Sequence, residues 1–136
     1  MAYAELHCLS HYSFLRAASS PAELVLQAAQ LGYSAIAITD ECSYAGLVKA
    51  WQASKQTNLK LISGSEFRCE QFGVFVLLAQ NRQGYGQIGR FISQCRLAAE
   101  KGSYTFQAQD LLESDLSNCL LLWLPAFMHA YRISFL

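Results

Sequence analysis

The stretch that decides the fold spans residues 20–41 and reads SPAELVLQAAQLGYSAIAITDE. Ser20 can cap a helix, and Glu23 can reach back to complete a capping box. Apolar side chains then recur at helical spacing until Gly32, which is typical of a helix end. The run SAIAIT at residues 34–39 follows at once and predicts a short buried strand. A helix that leads directly into a buried strand is the repeating unit of a parallel α/β sheet.

Working outward from this unit, strands and helices mostly alternate. The other expected strands cover residues 3–9, 59–62, 74–79 and 119–124, and the other expected helices cover 44–57, 85–101 and 105–113. In the first of these helices, the expected apolar face contains Leu47, Val48 and Trp51. The alternation predicts an α/β fold with a mostly parallel sheet or (β/α) barrel. No repeat or linker interrupts it, so residues 1–136 are expected to form one domain.

The composition narrows the classes of function. Of the 136 residues, 53% are hydrophobic, and ten basic residues balance ten acidic ones. A neutral chain lacks the basic stripe of a free-standing nucleic-acid binder, although it can belong to a larger DNA-binding protein. The five cysteines include no CxxC pair, which favours reduced thiols in a cytoplasmic protein. No apolar run reaches the ~18 residues of a membrane helix, so no membrane contact is expected.

Side chains that can bind metals follow or end three of the predicted strands. In chain order, these polar residues are His7, Ser10, His11, Asp40, Glu41 and Glu66. Functional groups of parallel α/β folds gather beyond the carboxyl ends of the strands, so these side chains are expected to lie close together. Imidazole and carboxylate groups suit zinc, manganese or iron. Two or three such ions could activate water and hold a phosphate.

Each of these residues also has an ordinary structural interpretation. Asp40 could cap the helix that follows it, and Glu41 could be a solvated acid in the first turn of that helix. His11 could be a simple loop residue. Glu66 lies in an apolar neighbourhood, where a carboxylate needs a partner whatever its role. His129 has no recognisable context and is taken as incidental. Spacing alone leaves both interpretations open.

Four ordered blocks carry a resemblance to a known family. They are AELHCLSHYSFLRAAS (4–19), AQLGYSAIAITDECSYAGLVKA (29–50), LKLISGSEF (59–67) and LLAQNRQGYGQIGRFIS (77–93). In order and spacing they resemble the N-terminal PHP domain of bacterial DNA polymerase III alpha subunits (the C family), most closely the error-prone alpha-like members induced by DNA damage. The resemblance runs from about residue 3 to about residue 123. The competing interpretation is an unrelated α/β protein with chance similarity.

The resemblance implies a distorted (β/α)7-type barrel with up to three metals at the strand ends. His7 falls on the first histidine of the family's histidine-x-histidine motif, and Leu9 occupies the second position. Asp40 falls on the aspartate of an aspartate-histidine motif, and Glu41 stands in place of its histidine. Glu66 falls on the bridging glutamate. The candidate metal ligands are therefore His7, Asp40, Glu41 and Glu66, for manganese, zinc or iron. Binding is expected to be weak or absent because Leu9 and Glu41 replace histidines, although a carboxylate can ligate a hard cation.

The resemblance also sets expectations about function. The family's later ligands find no counterpart here, so the chain is expected to be a C-terminally incomplete PHP domain without an assignable catalytic residue. The leading hypothesis is a module of an error-prone DNA polymerase with a degenerate metal site and a structural role. The alternative is a metal-dependent phosphoesterase acting on a DNA 3′ end or a small phosphate ester. Polymerase chemistry is expected to lie outside this chain.

The expected partners follow from the leading hypothesis. They are the rest of the polymerase chain, DNA bound through it, and other replication, repair or mutagenesis proteins. An incomplete barrel leaves apolar edges uncovered, so the isolated chain is expected to self-associate or to be marginally stable.

Overall fold

The computed structural model describes residues 3–70 and 72–125, which form an α/β structure around one five-stranded sheet. The strands are β1 (Ala4–Cys8), β2 (Ala35–Ile38), β3 (Lys60–Cys69), β4 (Gly73–Ala79) and β5 (Cys119–Leu124), and they lie in chain order. The helices are α1 (Pro21–Gln30), α2 (Leu47–Ser54), α3 (Arg82–Leu97) and α4 (Ala108–Glu113). The sheet curls into half of a barrel, and the predicted α/β class is confirmed.

The first three strands form a parallel half of the molecule. Ala35 of β2 pairs with Ala4 of β1 on one side and with Lys60 of β3 on the other. The two connecting helices pack on the sheet through a core of Val25, Ala28, Ile36, Ile38, Leu47, Ala50, Ala53 and Leu59. The predicted capping box at the start of α1 is confirmed. Ser20 Oγ accepts from the Glu23 N–H at 3.2 Å, and the Glu23 carboxylate accepts from the Ser20 N–H at 2.7 Å.

Helix α2 starts later than predicted and buries a different face. It begins at Leu47, and its buried side chains are Leu47, Ala50 and Ala53. Val48 is 63% exposed and Trp51 is 52% exposed, so of the expected apolar face only Leu47 is buried. The two small alanines allow α2 to lie close to its neighbours, and large side chains would not fit there. Trp51 instead packs under the Lys55 ammonium group, 3.3 Å from the ring centroid.

The last two strand pairs are antiparallel, which corrects the expectation of a mostly parallel sheet. Strand β3 does not end at Ile62 but continues to Cys69 and pairs antiparallel with β4, with Phe67 opposite Phe75. Strand β4 then pairs antiparallel with β5. A parallel return needs a crossover of a dozen or more residues, and the connection between Cys69 and Gly73 is far shorter.

Helices α3 and α4 cover this antiparallel half with an aromatic core. The ring of Phe67 meets Phe91 edge-to-face at 4.9 Å and Phe106 at 6.0 Å between centroids. Alternate residues of β4, Val74, Val76 and Leu78, pack on the opposite face of the sheet. All five cysteines are free thiols, as predicted. No helix within the described ranges is long and apolar enough to cross a membrane.

Candidate functional site

The candidate site lies where β1 and β2 end beside the middle of β3. The chain continues past the end of β2 along β3, where Glu41 forms a parallel bridge with Glu66. The Cys42 N–H donates to the Glu66 carbonyl at 2.8 Å, which fixes this extension. His7 reaches the same edge from β1. The side chains of His7, Glu41 and Glu66 are therefore linked directly or through Arg16, and Glu66 lies within β3 rather than after it. Asp40 precedes Glu41 in the chain, but its carboxylate is bonded to Ser10 and Ser13.

Asp40 is a buried anchor for the loop between β1 and α1. Its Oδ1 accepts from the Ser10 N–H and the Ser13 hydroxyl, both at 2.8 Å, and its Oδ2 accepts from the Ser10 hydroxyl at 2.7 Å. The interpretation of Asp40 as a helix cap is wrong, because α2 begins at Leu47 and its N-cap residue is Gly46. A Cβ atom on Gly46 would lie 2.6 Å from Asp40 Oδ2, so the tight packing of this carboxylate requires glycine.

Glu66 is fully buried and has two basic partners. His7 Nε2 lies 2.6 Å from Glu66 Oε2, and the Arg16 guanidinium contacts Oε1. Burial raises the pKa of the Glu66 carboxyl, but the hydrogen bonds from His7 and Arg16 outweigh it, so the pKa is lowered. Glu66 is therefore an anion held inside the protein by its neighbours.

Both carboxylate oxygens of Glu41 also accept hydrogen bonds from protein groups. Its Oε1 accepts from the Tyr104 hydroxyl at 2.7 Å, and its Oε2 accepts from Arg16 Nη1 at 2.8 Å. Burial and the bond to Glu41 raise the pKa of the Tyr104 hydroxyl, which keeps it a donor. Arg96 donates to the carbonyl oxygens of Glu41 and Cys42 and holds the backbone there. The interpretation of Glu41 as a solvated acid in a helical turn is wrong.

The donor set fits a metal poorly. Every carboxylate oxygen of Asp40, Glu41 and Glu66 already has a protein donor. Among residues 3–70 and 72–125, no three His, Cys, Asp or Glu side chains are arranged to hold a metal ion. A divalent cation would have to displace these donors, including a permanently charged guanidinium.

Two other predicted residues have different outcomes. Ser10 belongs to the site through its bonds to Asp40. The exposed His11 ring packs against Tyr12 at 4.7 Å between centroids, in agreement with its interpretation as a loop residue. His129 lies outside the described residues.

Sequence reasoning missed three members of the site, namely Ser13, Arg16 and Tyr104. They lie 27, 25 and 63 residues from the acids they contact, so no local pattern links them. One signal was available. Arg16 is the only lysine or arginine before Lys49, in a segment that contains Glu5, Glu23, Asp40 and Glu41.

Comparison with known proteins decides the family. The model of the PHP domain matches residues 5–124. The chain belongs to the PHP family. Relatives of this PHP domain include the error-prone DNA polymerase of Idiomarina loihiensis, 53% identical over 132 residues, or 97% of this chain and 13% of the polymerase. That of Methylococcus capsulatus is 54% identical over 123 residues, 90% of this chain and 12% of the polymerase. The predicted resemblance is confirmed, and chance similarity is wrong.

Solved structures agree with the barrel-type fold. A putative metal-dependent phosphoesterase from Bifidobacterium adolescentis superposes with a TM-score of 0.55 at 25% identity, over 71% of this chain and 34% of that protein. An amidohydrolase from Chromobacterium violaceum gives a TM-score of 0.57 at 22% identity, over the same shares of the two chains. The PHP domain described here thus spans about a third of these structures and about an eighth of the polymerases.

Proposed function

We propose that this PHP domain is a structural module of an error-prone DNA polymerase and does not hydrolyse phosphate esters. One observation carries the proposal, the engagement of every carboxylate oxygen of Asp40, Glu41 and Glu66 by a protein donor. A metal-dependent hydrolase needs ligands that are free to coordinate and an open position for water. A buried polar network with all partners satisfied instead stiffens the elements that it joins.

The network links segments that are far apart in the sequence. Asp40 holds the β1–α1 loop, Glu66 holds β1 through His7, and Glu41 holds the segment before α4 through Tyr104. We place this scaffold in the cytoplasm, with the rest of the polymerase chain as its main partner and DNA reached through that chain. Replication and repair proteins are further proposed partners. Self-association of the isolated chain stays a prediction, checked by light scattering.

A second candidate function is metal-dependent phosphoester hydrolysis. It is favoured by the likeness to the putative phosphoesterase from Bifidobacterium adolescentis and by His7, Asp40 and Glu66 at positions that resemble the family's ligands. Hydrolysis here would require a metal to expel Arg16 and the hydroxyl donors. The present contacts make this the weaker candidate.

The two functions differ in metal retention. The purified chain is exposed to manganese, iron and zinc, dialysed exhaustively, and analysed for metal and for hydrolysis of p-nitrophenyl phosphate and a 3′-phosphorylated oligonucleotide. We expect no retained metal above the buffer and no hydrolysis. Retained metal and hydrolysis that are both lost in Glu66→Gln would establish the phosphoesterase and overturn the proposal.

The structural role is tested in a whole polymerase. The matching segment of the Idiomarina loihiensis enzyme is replaced by this sequence, and Asp40→Ala is compared with His11→Ala, an exposed loop control. We expect Asp40→Ala to lower the yield of folded polymerase and total primer extension together, with no effect of His11→Ala. Unchanged yield and extension in Asp40→Ala would contradict a supporting role.

A further inference from the structure

Arg16 places one positive charge between two carboxylates of the site. Its Nη1 atom lies 2.8 Å from Glu41 Oε2 and also contacts Glu66 Oε1. Glu66 belongs to β3, Glu41 lies in the segment after β2, and Arg16 lies in the loop between β1 and α1. A divalent ion bridging Glu41 and Glu66 would need the same two oxygens and the same space.

Charge balance explains why a cation is needed there. Glu66 is fully buried, and a buried carboxylate without an opposite charge is strongly unfavourable. Arginine stays charged at any physiological pH and can donate to several oxygens from one planar group. His7 contacts Glu66 Oε2, and Arg16 contacts the other carboxylate oxygen, Oε1.

We propose that the Arg16 guanidinium is the resident cation of this site, in the place between Glu41 and Glu66 that a metal ion would otherwise take. The inference rests on the proposed non-hydrolytic function and deepens it by naming what neutralises the site. It also gives the β1–α1 loop a role, because the loop delivers the charge.

The conformation of the loop is consistent with this role. Leu15, immediately before Arg16, adopts a left-handed backbone with φ of 60°, which is unfavourable for a leucine. Its side chain is 89% exposed and that of Phe14 is 82% exposed, so neither holds the loop by packing. The loop is held by the bonds of Ser10 and Ser13 to Asp40 and by the ion pairs of Arg16. Arg16 Nη1 thus reaches the buried Glu66, while the two apolar residues before Arg16 face outward.

Thermal unfolding of charge variants tests the inference. Arg16→Met keeps the aliphatic stem and removes the charge, and Arg90→Met does the same at an exposed arginine of α3. We expect Arg16→Met to lower the unfolding midpoint by roughly 5–15 °C and Arg90→Met by no more than about 2 °C. Equal midpoints for Arg16→Met and the wild type would overturn the inference.

A double-variant cycle keeps the test decisive if Arg16→Met folds poorly. Glu66→Gln removes the charge that Arg16 neutralises, so its cost should be smaller in the Arg16→Met background, and the double variant should regain folding. The same loss from Glu66→Gln in both backgrounds would overturn the inference. That failure is distinct from failure of the proposed function, which would appear as metal retained by the wild-type chain.

Discussion

The parallel and antiparallel halves of the sheet share β3 but differ in how their strands are connected. In the parallel half, helices α1 and α2 return the chain to the same end, so β1 and β2 finish at one edge. In the antiparallel half, β4 and β5 run in alternate directions and their ends are spread over both edges. The acids of the candidate site gather where the ends of β1 and β2 coincide, beside β3.

The two halves also use their buried residues differently. The antiparallel half is filled by aromatic and aliphatic side chains, and Tyr104 and Arg96 extend from it to the site. The parallel half buries Asp40 and the Ser10 hydroxyl beside its apolar core. One half therefore provides mostly packing and the other provides most of the charge. Substitutions in each half test this difference.

The largest effect is expected from Phe67→Ala in the shared strand. Phe67 is fully buried against Phe91 and Phe106, so its truncation should lower the free energy of unfolding by about 3–5 kcal/mol. Urea denaturation measures this loss, and the exposed Phe14→Ala should change it by less than about 0.5 kcal/mol.

The same variant shows whether the halves unfold together. Trp51 lies in α2 of the parallel half and Trp123 lies in β5 of the antiparallel half. Trp51→Phe and Trp123→Phe give chains in which fluorescence reports on one half each. We expect Phe67→Ala to shift both transitions equally, as for one cooperative unit. A shift confined to the Trp123 signal would mean that the halves unfold independently.

A smaller effect, with opposite signs in the two halves, is expected at two glycines. A Cβ on Gly46 would lie 2.6 Å from Asp40 Oδ2 and 3.0 Å from Ser10 Oγ, so Gly46→Ala should cost about 1–3 kcal/mol. A Cβ on Gly86 of α3 meets nothing within 4 Å, so Gly86→Ala should stabilise the chain by about 0.5–1 kcal/mol. The midpoint of urea denaturation should fall in Gly46→Ala and rise in Gly86→Ala, relative to the wild type. Stabilisation by Gly46→Ala would refute the tight packing around Asp40.

A small effect, comparable in size to that of Gly86→Ala, is expected at the capping box of α1. Ser20→Ala should lower the free energy of unfolding by about 1 kcal/mol because the Glu23 N–H loses its acceptor. The bond from the Ser20 N–H lowers the pKa of the Glu23 carboxyl. A lowered folded pKa gives stability that is present above the unfolded pKa and is lost as pH falls through the folded value.

The pH dependence of this contribution is measured as the free energy of unfolding at decreasing pH. The free energy of unfolding should begin to fall below the ordinary pKa of a glutamate, and the fall should be smaller in Glu23→Gln. An unchanged acid profile in Glu23→Gln would show that the bond contributes nothing.

Local rules predicted the parts of the fold that local interactions decide. The capping box of Ser20 and Glu23 and the limits of β5 follow from neighbouring residues, and both are confirmed. The extent of β3 was missed because Gly64 and Ser65 look like a strand end. Only pairing with β4 shows that the strand continues. The alternation of helices and strands elsewhere favoured a mostly parallel sheet, although no helix separates β3 from β4.

Only part of the site could be predicted, because only some of its residues are marked by their position after a strand. Its acids follow strands and could be found from position, and their closeness follows from the parallel connections. Their partners could not be found that way, because Arg16 and Tyr104 reach them across tens of residues and only the folded chain brings them together. Sequence position located the acids but not the hydrogen bonds that they accept, and metal binding by these acids stays a prediction.

The covalent attachment of Arg16 has a consequence for how the site responds to its surroundings. A bound ion exchanges with the medium, so its occupancy falls when chelators or scarcity lower its concentration. A guanidinium that belongs to the polypeptide cannot be diluted, extracted or replaced by a competing ion. With Arg16 as the proposed resident cation, paired with Glu41 and Glu66, we expect the integrity of this edge not to depend on the supply of trace elements.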